Sequence, residues 1–250
     1  MQFIIAPAKK MRVDTDNFAI QSWPQYLPEA ERLLARLQTL SYDQAKQLWR
    51  CSDKLARPNY EWLQQLDLRK NVTPAVMSFI GLQYQSMAPD LLPKAGLQYL
   101  AANLRILSGF YGVLRAFDAV VPYRLELGSR LQVGRAKNLY AFWGDRLYRA
   151  LDWTQPVVNL ASEEYAKAVR PYLQPGDQFV TVVFAHLAAG QLQTRATYAK
   201  MARGAMVRYA AEQQVTSLDK LKNFADPHYH FAEAYSTATK LVFLRASSAN

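Results

Sequence analysis

The most apolar run of the chain, Phe179 to Gly190 ("FVTVVFAHLAAG"), sets the first limit on what it can fold into. It is too short for a bilayer-crossing helix, which needs about 20 residues, and it contains His186. Together with the following "QLQTRAT" it reads as a hairpin turning at Ala189-Gly190. Shorter apolar runs, "MQFIIA" at the N-terminus and "PVVNLAS" before Glu163, read as further buried strands. "RILSG" and the alternating "VPYRLELG" add two more, and "HYHFAEAYSTATKLVFLR" closes with two strand-like runs.

Helical patterns lie between them. Leu33, Leu34, Leu37 and Leu40 recur at helical spacing, and Ser41 with Gln44 forms a capping box for "YDQAKQLWR". "PNYEWLQQL" predicts a second helix, joined to the first through "CSDKLAR", so residues 28–68 are expected to hold a helical hairpin. "NLYAFWGDRLYRAL" reads as an amphipathic helix with Gly144 as a soft point. "SEEYAKAVRPYL" is capped by Ser162, "YAKMARGAMVRYAAEQQ" is a long helix, and "SLDKLKNF" starts from Ser217. No steady βαβ rhythm, repeat or linker appears. The expectation is an α+β (mixed α/β) fold over residues 1–250: one compact domain with a central mixed sheet, surrounding helices, the hairpin insertion and a basic cleft.

Charge then narrows the partners. The formal net charge is +10 with pI about 9.6, and arginine outnumbers lysine 18 to 12, a balance that favours polyanions. Between Arg105 and Arg149 eight basic residues face three acids. Cys51 is the only cysteine, which excludes an intrachain disulfide and a cysteine zinc cage. With no secretory pattern at the N-terminus, a soluble cytoplasmic protein is expected, with no membrane partner. Phosphate-loop, nucleophile-elbow, zincin and dinucleotide motifs are absent. His228 and His230 share a strand face but have no evident third ligand, so neither metal nor cofactor is expected.

Three stretches carry the site. "LSGFYGVLRAFDAVVPYRLELG", Leu107 to Gly128, is dense in glycine, aromatic and charged residues, and its Arg124 and Glu126 fall on one face of an extended chain as a candidate ion pair. In "YAKMARGAMVRY", Lys200 and Arg203 fall near one helix face, and Gly204 permits close approach by another backbone or a ligand. The interleaved aromatics suit either the core or base stacking.

"APAKK", "CSDKLA", "FIGLQY", "SGFYGVLRAFDAVVPYRLELG", "NLYAFWGDRL", "VVNLASEEYAKAV" and "AKMARG" follow one another in the order of the YaaA family of bacterial peroxide-stress proteins, which the chain resembles over essentially its full length. The resemblance implies a cytoplasmic DNA-binding protein tied to peroxide protection and to repair or recombination, limiting iron-dependent damage, with a basic cleft and a helix-hairpin-helix element. That element maps to Ser41–Trp62, which lacks the usual G-x-G turn. Five positions depart from the family pattern: Ala6 for serine, Ile80 for lysine, Leu82 for aspartate, Met201 for lysine and Glu163 for aspartate. The departures favour binding over chemistry.

The expected DNA contacts are Lys9, Lys46, Arg50, Lys54, Arg57, Arg115, Arg124, Lys200 and Arg203. The expected cleft wall is Tyr84, Ser108, Gly109, Tyr111, Gly112, Tyr123, Trp143, Gly144, Asn159, Ser162 and Gly204. Double-stranded or structured DNA is the expected partner of a monomer. The alternative is an enzyme acting on a nucleotide or nucleic-acid base with Glu126 or Asp145 as acid/base, Lys9 being a third catalytic candidate.

Overall fold

The computed structural model describes residues 1–224, 226 and 228–246. In chain order the elements are β1 (Gln2–Ile5), β2 (Lys10–Met11), α1 (Leu27–Gln38), α2 (Tyr42–Trp49), α3 (Asp53–Gln64), β3 (Thr73–Pro74), α4 (Ala75–Ser78), β4 (Phe79–Ile80), α5 (Leu82–Met87), α6 (Lys94–Asn103) and β5 (Leu104–Ser108). There follow β6 (Gly112–Arg115), β7 (Ala119–Val120), α7 (Leu139–Trp143), α8 (Arg146–Arg149), β8 (Val157–Asn159), α9 (Glu163–Ala166), β9 (Phe179–Ala188), β10 (Gln191–Gln193), α10 (Ala196–Glu212), α11 (Leu218–Lys222), β11 (Tyr229–Phe231) and β12 (Lys240–Arg245).

The main sheet has eight strands, ordered β11-β12-β9-β8-β1-β5-β6 with β10 paired to β9. Five of them, β5, β1, β8, β9 and β12, are mutually parallel. Numbered along the chain these run 2-1-3-4-5, an order found in doubly wound sheets. The chain leaves β1 to one side to lay down β5, then returns past β1 to lay down β8. A crevice therefore opens beyond the carboxyl ends of β1 and β8. β1 and β8 are buried along their full lengths, as central parallel strands must be. The mixed sheet with surrounding helices is as the sequence predicts.

Local signals hold at several ends. Ser41 and Gln44 form the reciprocal capping box of α2, and Ser217 accepts from the Lys220 N–H at the start of α11. The β9–β10 hairpin turns at Ala189 and Gly190, both with positive φ.

Three readings are corrected. "CSDKLAR" is mostly helix: α3 already starts at Asp53 and runs through Pro58, so only Arg50 to Ser52 connect α2 to α3. "NLYAFWGDRLYRAL" breaks into α7 and α8 because Gly144 takes φ +53°, outside helical geometry. "VPYRLELG" belongs to no strand. Its alternation is real, with Leu125 and Leu127 buried and Arg124 and Glu126 half-exposed, but its buried side packs on the β5–β6 turn instead of joining a ladder. Gly109 makes that packing possible. A Cβ there would lie 2.8 Å from the Leu125 carbonyl oxygen and from the Leu127 nitrogen.

Candidate functional site

A pocket of about 560 Å³ occupies the crevice. The loop after β1, Ala6 to Lys9, lines it together with Lys10 of β2, and Ser162, Glu164 and Tyr165 after β8 border it. The ladder between β2 and β4 pairs Lys10 with Ile80, which holds the β1 loop against the Ile80–Tyr84 wall. The Tyr84 hydroxyl donates to the Ala6 carbonyl at 3.0 Å and ties the same two segments together. Tyr123 to Glu126 form the opposite wall, and α10 contributes Lys200 and Arg203.

Gly204 sets the position of α10. A Cβ at this residue would fall 1.9 Å from the Gln83 carbonyl oxygen, so α10 and α5 meet backbone to backbone. The freedom of Gly204 thus serves helix packing, and that packing delivers Lys200 and Arg203 to the pocket. Gly109 and Gly112 likewise admit protein rather than ligand: the space beside Gly112 is taken by Trp143 and Tyr26.

Five cations, Lys9, Lys10, Arg124, Lys200 and Arg203, line the pocket beside two carboxylates. Both carboxylates are engaged. Glu126 Oε1 lies 2.8 Å from Lys9 Nζ, and Glu164 Oε1 accepts from the Gly128 N–H at 2.7 Å. The sequence-based Arg124–Glu126 pair is therefore replaced by Lys9–Glu126. The Nε atoms of Arg124 and Arg203 and the Nε2 of Gln83 are buried without a hydrogen-bond partner. Burial pushes the Arg203 guanidinium down from its usual value. The Tyr84, Tyr123 and Tyr165 hydroxyls are pushed well up by burial and stay protonated at neutral pH. Tyr84 already donates to Ala6 and Tyr123 is bonded to Ser108, so the buried donors without a protein partner at the pocket are the Arg124 and Arg203 Nε and the Gln83 Nε2.

Of the expected DNA contacts, the structure brings Lys9, Arg124, Lys200 and Arg203 together here, with Tyr84, Tyr123 and Ser162 of the expected wall and Glu126 of the catalytic candidates. Ser108, Gly109, Tyr111, Gly112, Trp143 and Asn159 do not line it. They are core, because their polar groups are spent inside the protein: Trp143 donates to the Gly109 carbonyl at 2.9 Å, and Ser108 accepts from the Phe110 and Tyr111 N–H groups. Gly204 is buried in the α5–α10 contact. Arg115 ends β6 in solvent away from the pocket, and Asp145 lies beside Gly144, paired with Arg149 at 2.6 Å.

Lys46, Arg50, Lys54 and Arg57 sit on or beside α2 and α3, outside the pocket, with Lys46 held by Asp53 at 2.6 Å and Arg57 over the Tyr42 ring. The hairpin still reaches the pocket's back wall. Trp62 donates to the Pro122 carbonyl at 2.8 Å, and a small crevice is lined by Asn59, Trp62, Tyr123 and Arg124.

Sequence reasoning does not single out Lys10, Gln83, Glu164 or Tyr165, which also line the pocket. Their only signal is membership of the blocks "APAKK", "FIGLQY" and "VVNLASEEYAKAV". Three of the five departures, Ala6, Ile80 and Leu82, fall on the pocket wall, whereas Met201 is exposed and Glu163 pairs with Arg170 at 2.6 Å. Among the described residues no group of three or more His, Cys, Asp or Glu is placed to hold a metal, and no helix is long and apolar enough to cross a membrane.

The chain is 56% identical over 245 residues to a UPF0246 protein of Lactiplantibacillus plantarum, covering 98% of this chain and 99% of that one. It is 49% identical to a UPF0246 protein of Pediococcus pentosaceus, covering 98% of each, and 42% identical to one of Agathobacter rectalis, covering 98% and 99%. Residues 1–235 match the family described as peroxide stress protein YaaA, and the chain belongs to that family.

Proposed function

We propose that this protein serves the peroxide stress response by binding DNA, gripping phosphates through the pocket at the carboxyl ends of β1 and β8 and through the basic surface of the α2–α3 hairpin. The observation that carries this reading is the pair of guanidinium groups, Arg124 and Arg203, each with a buried Nε that has no partner in the protein. Leaving a buried N–H unpaired costs about 1–3 kcal/mol, and a phosphate oxygen would remove that penalty with a charge-assisted hydrogen bond. The net charge of +10 adds long-range attraction to a polyanion.

Binding of this kind is largely independent of sequence, since phosphate contacts position a protein without reading bases. Its part in limiting iron-dependent damage and in repair or recombination would follow from occupancy of DNA in the cytoplasm, by a monomer that needs no cofactor. A mobility-shift titration of a random-sequence duplex at several salt concentrations tests the reading. The logarithm of affinity should fall linearly with the logarithm of salt, by about 0.9 per phosphate contacted. A flat salt dependence, or no shift even at about 100 μM protein, the weak end of non-specific affinity, would exclude it.

A further inference from the structure

The pocket is too small for a duplex and larger than one phosphate requires. Its volume of about 560 Å³ falls in the range of sites that enclose small ligands. Its lining is mixed in character. Arg124, Lys200 and Arg203 supply positive charge, while Pro7, Leu82 and Leu125 present apolar surface. Gln83 is 7% exposed, and its Nε2 is a donor with no partner in the protein. A ligand that satisfies all three features carries an anionic group and an apolar body with a hydrogen-bond acceptor.

We propose that the pocket binds a single nucleotide unit, its phosphate held by Arg124 and Arg203 and its base against the apolar lining, where Gln83 donates to a base acceptor. The inference rests on the reading of this pocket as a nucleic-acid phosphate site. It adds that one nucleotide is enclosed rather than a groove of duplex tracked. Two sources share this chemistry: a free mononucleotide, or a nucleotide extruded from a DNA strand, as proteins extrude bases they must enclose.

The test is calorimetric titration of the full chain with dTMP and AMP, alongside thymidine, adenosine and inorganic phosphate. The monophosphates should bind at least about tenfold more tightly than either fragment, because only they engage both the cations and the apolar lining. Lys200→Glu reverses an exposed charge on the pocket rim without touching the core, and it should weaken monophosphate binding about tenfold, by charge repulsion with the phosphate. Arg203→Gln should weaken it further in a chain shown by circular dichroism to be folded. Monophosphates that bind no better than phosphate alone, or equally well to wild type and both variants, overturn the proposal.

A duplex carrying one unpaired 2-aminopurine separates the sources. A fluorescence rise that saturating dTMP reverses assigns the pocket to an extruded nucleotide. Monophosphate binding without that rise assigns it to the free nucleotide. A chain that shifts duplex DNA yet binds no monophosphate loses this proposal and keeps DNA binding. A chain that binds monophosphates and shifts no DNA loses DNA binding and keeps the pocket.

Discussion

Lys9 Nζ stands 2.8 Å from Glu126 Oε1, joining the loop after β1 to the segment that packs on the β5–β6 turn. The pair lies at the pocket wall, with Lys9 two-thirds exposed and Glu126 one-third. An ion pair so open to water contributes little stability, under about 1 kcal/mol. Its larger effect is to occupy Lys9 when no anion is bound. Glu126→Gln should therefore leave urea-unfolding free energy nearly unchanged and tighten phosphate and DNA binding several-fold. Weaker binding in this variant would show that Glu126 itself touches the ligand, and would return weight to an acid/base role.

Gly204→Ala should be among the most damaging single substitutions in the protein. The added methyl would lie 1.9 Å from the Gln83 carbonyl oxygen, which is backbone and cannot rotate away. Forcing α10 and α5 apart costs about 1–3 kcal/mol or more, as in other overpacked cores, and Ala's higher helix propensity returns only about 1 kcal/mol. The same displacement moves Lys200 and Arg203, so anion affinity should fall together with the urea midpoint. A variant of unchanged stability would mean that α10 has room to shift.

Several local features that depend on residues close in the chain were legible in the sequence. The capping box at Ser41, the turn at Ala189-Gly190 and the helical facing of Lys200 and Arg203 are of this kind. The 2-1-3-4-5 strand order was not, because the crossover from β1 to β5 holds most of the helices and masks any βαβ rhythm. Resemblance pointed to the right blocks but not to their depth. Tyr111 and Trp143 share a block with pocket residues or stand near one, yet both are fully buried. Gln83 carried no chemical signal at all, since an orphaned donor exists only once α5 is packed against α10.

Burial of tyrosines around the site has a consequence at high pH. The hydroxyls of Tyr84, Tyr111, Tyr123 and Tyr165 are all pushed up by desolvation in the folded chain. In the unfolded chain they ionise near pH ~10. The folded state therefore holds more protons above that point, and stability falls as pH rises. The stability tied to these groups is fully present below about pH 10 and is lost at about 1.4 kcal/mol per tyrosine for each unit above it. Tyrosinate absorbance from these residues should appear in the same cooperative step as loss of near-ultraviolet circular dichroism. A gradual titration of every tyrosine ahead of unfolding would contradict their burial.

Lys54 offers a separate test of the hairpin. Lys46 is held by Asp53 and Arg57 lies 5.1 Å above the Tyr42 ring, which leaves Arg50 and Lys54 as the hairpin cations without such a partner among the described residues. Lys54 is exposed in the first turn of α3, so its removal leaves the core untouched. If the hairpin grips the DNA backbone, Lys54→Gln should reduce the slope of log affinity against log salt by about 0.9 while leaving mononucleotide affinity unchanged. The two readouts part because Lys54 lies outside the pocket, to which the hairpin is linked at the back wall through Trp62, Pro122 and the Asn59–Arg124 crevice. An unchanged slope would exclude Lys54 as a phosphate contact, and a parallel loss of mononucleotide binding would mean that the hairpin acts by holding the Tyr123–Arg124 wall in place.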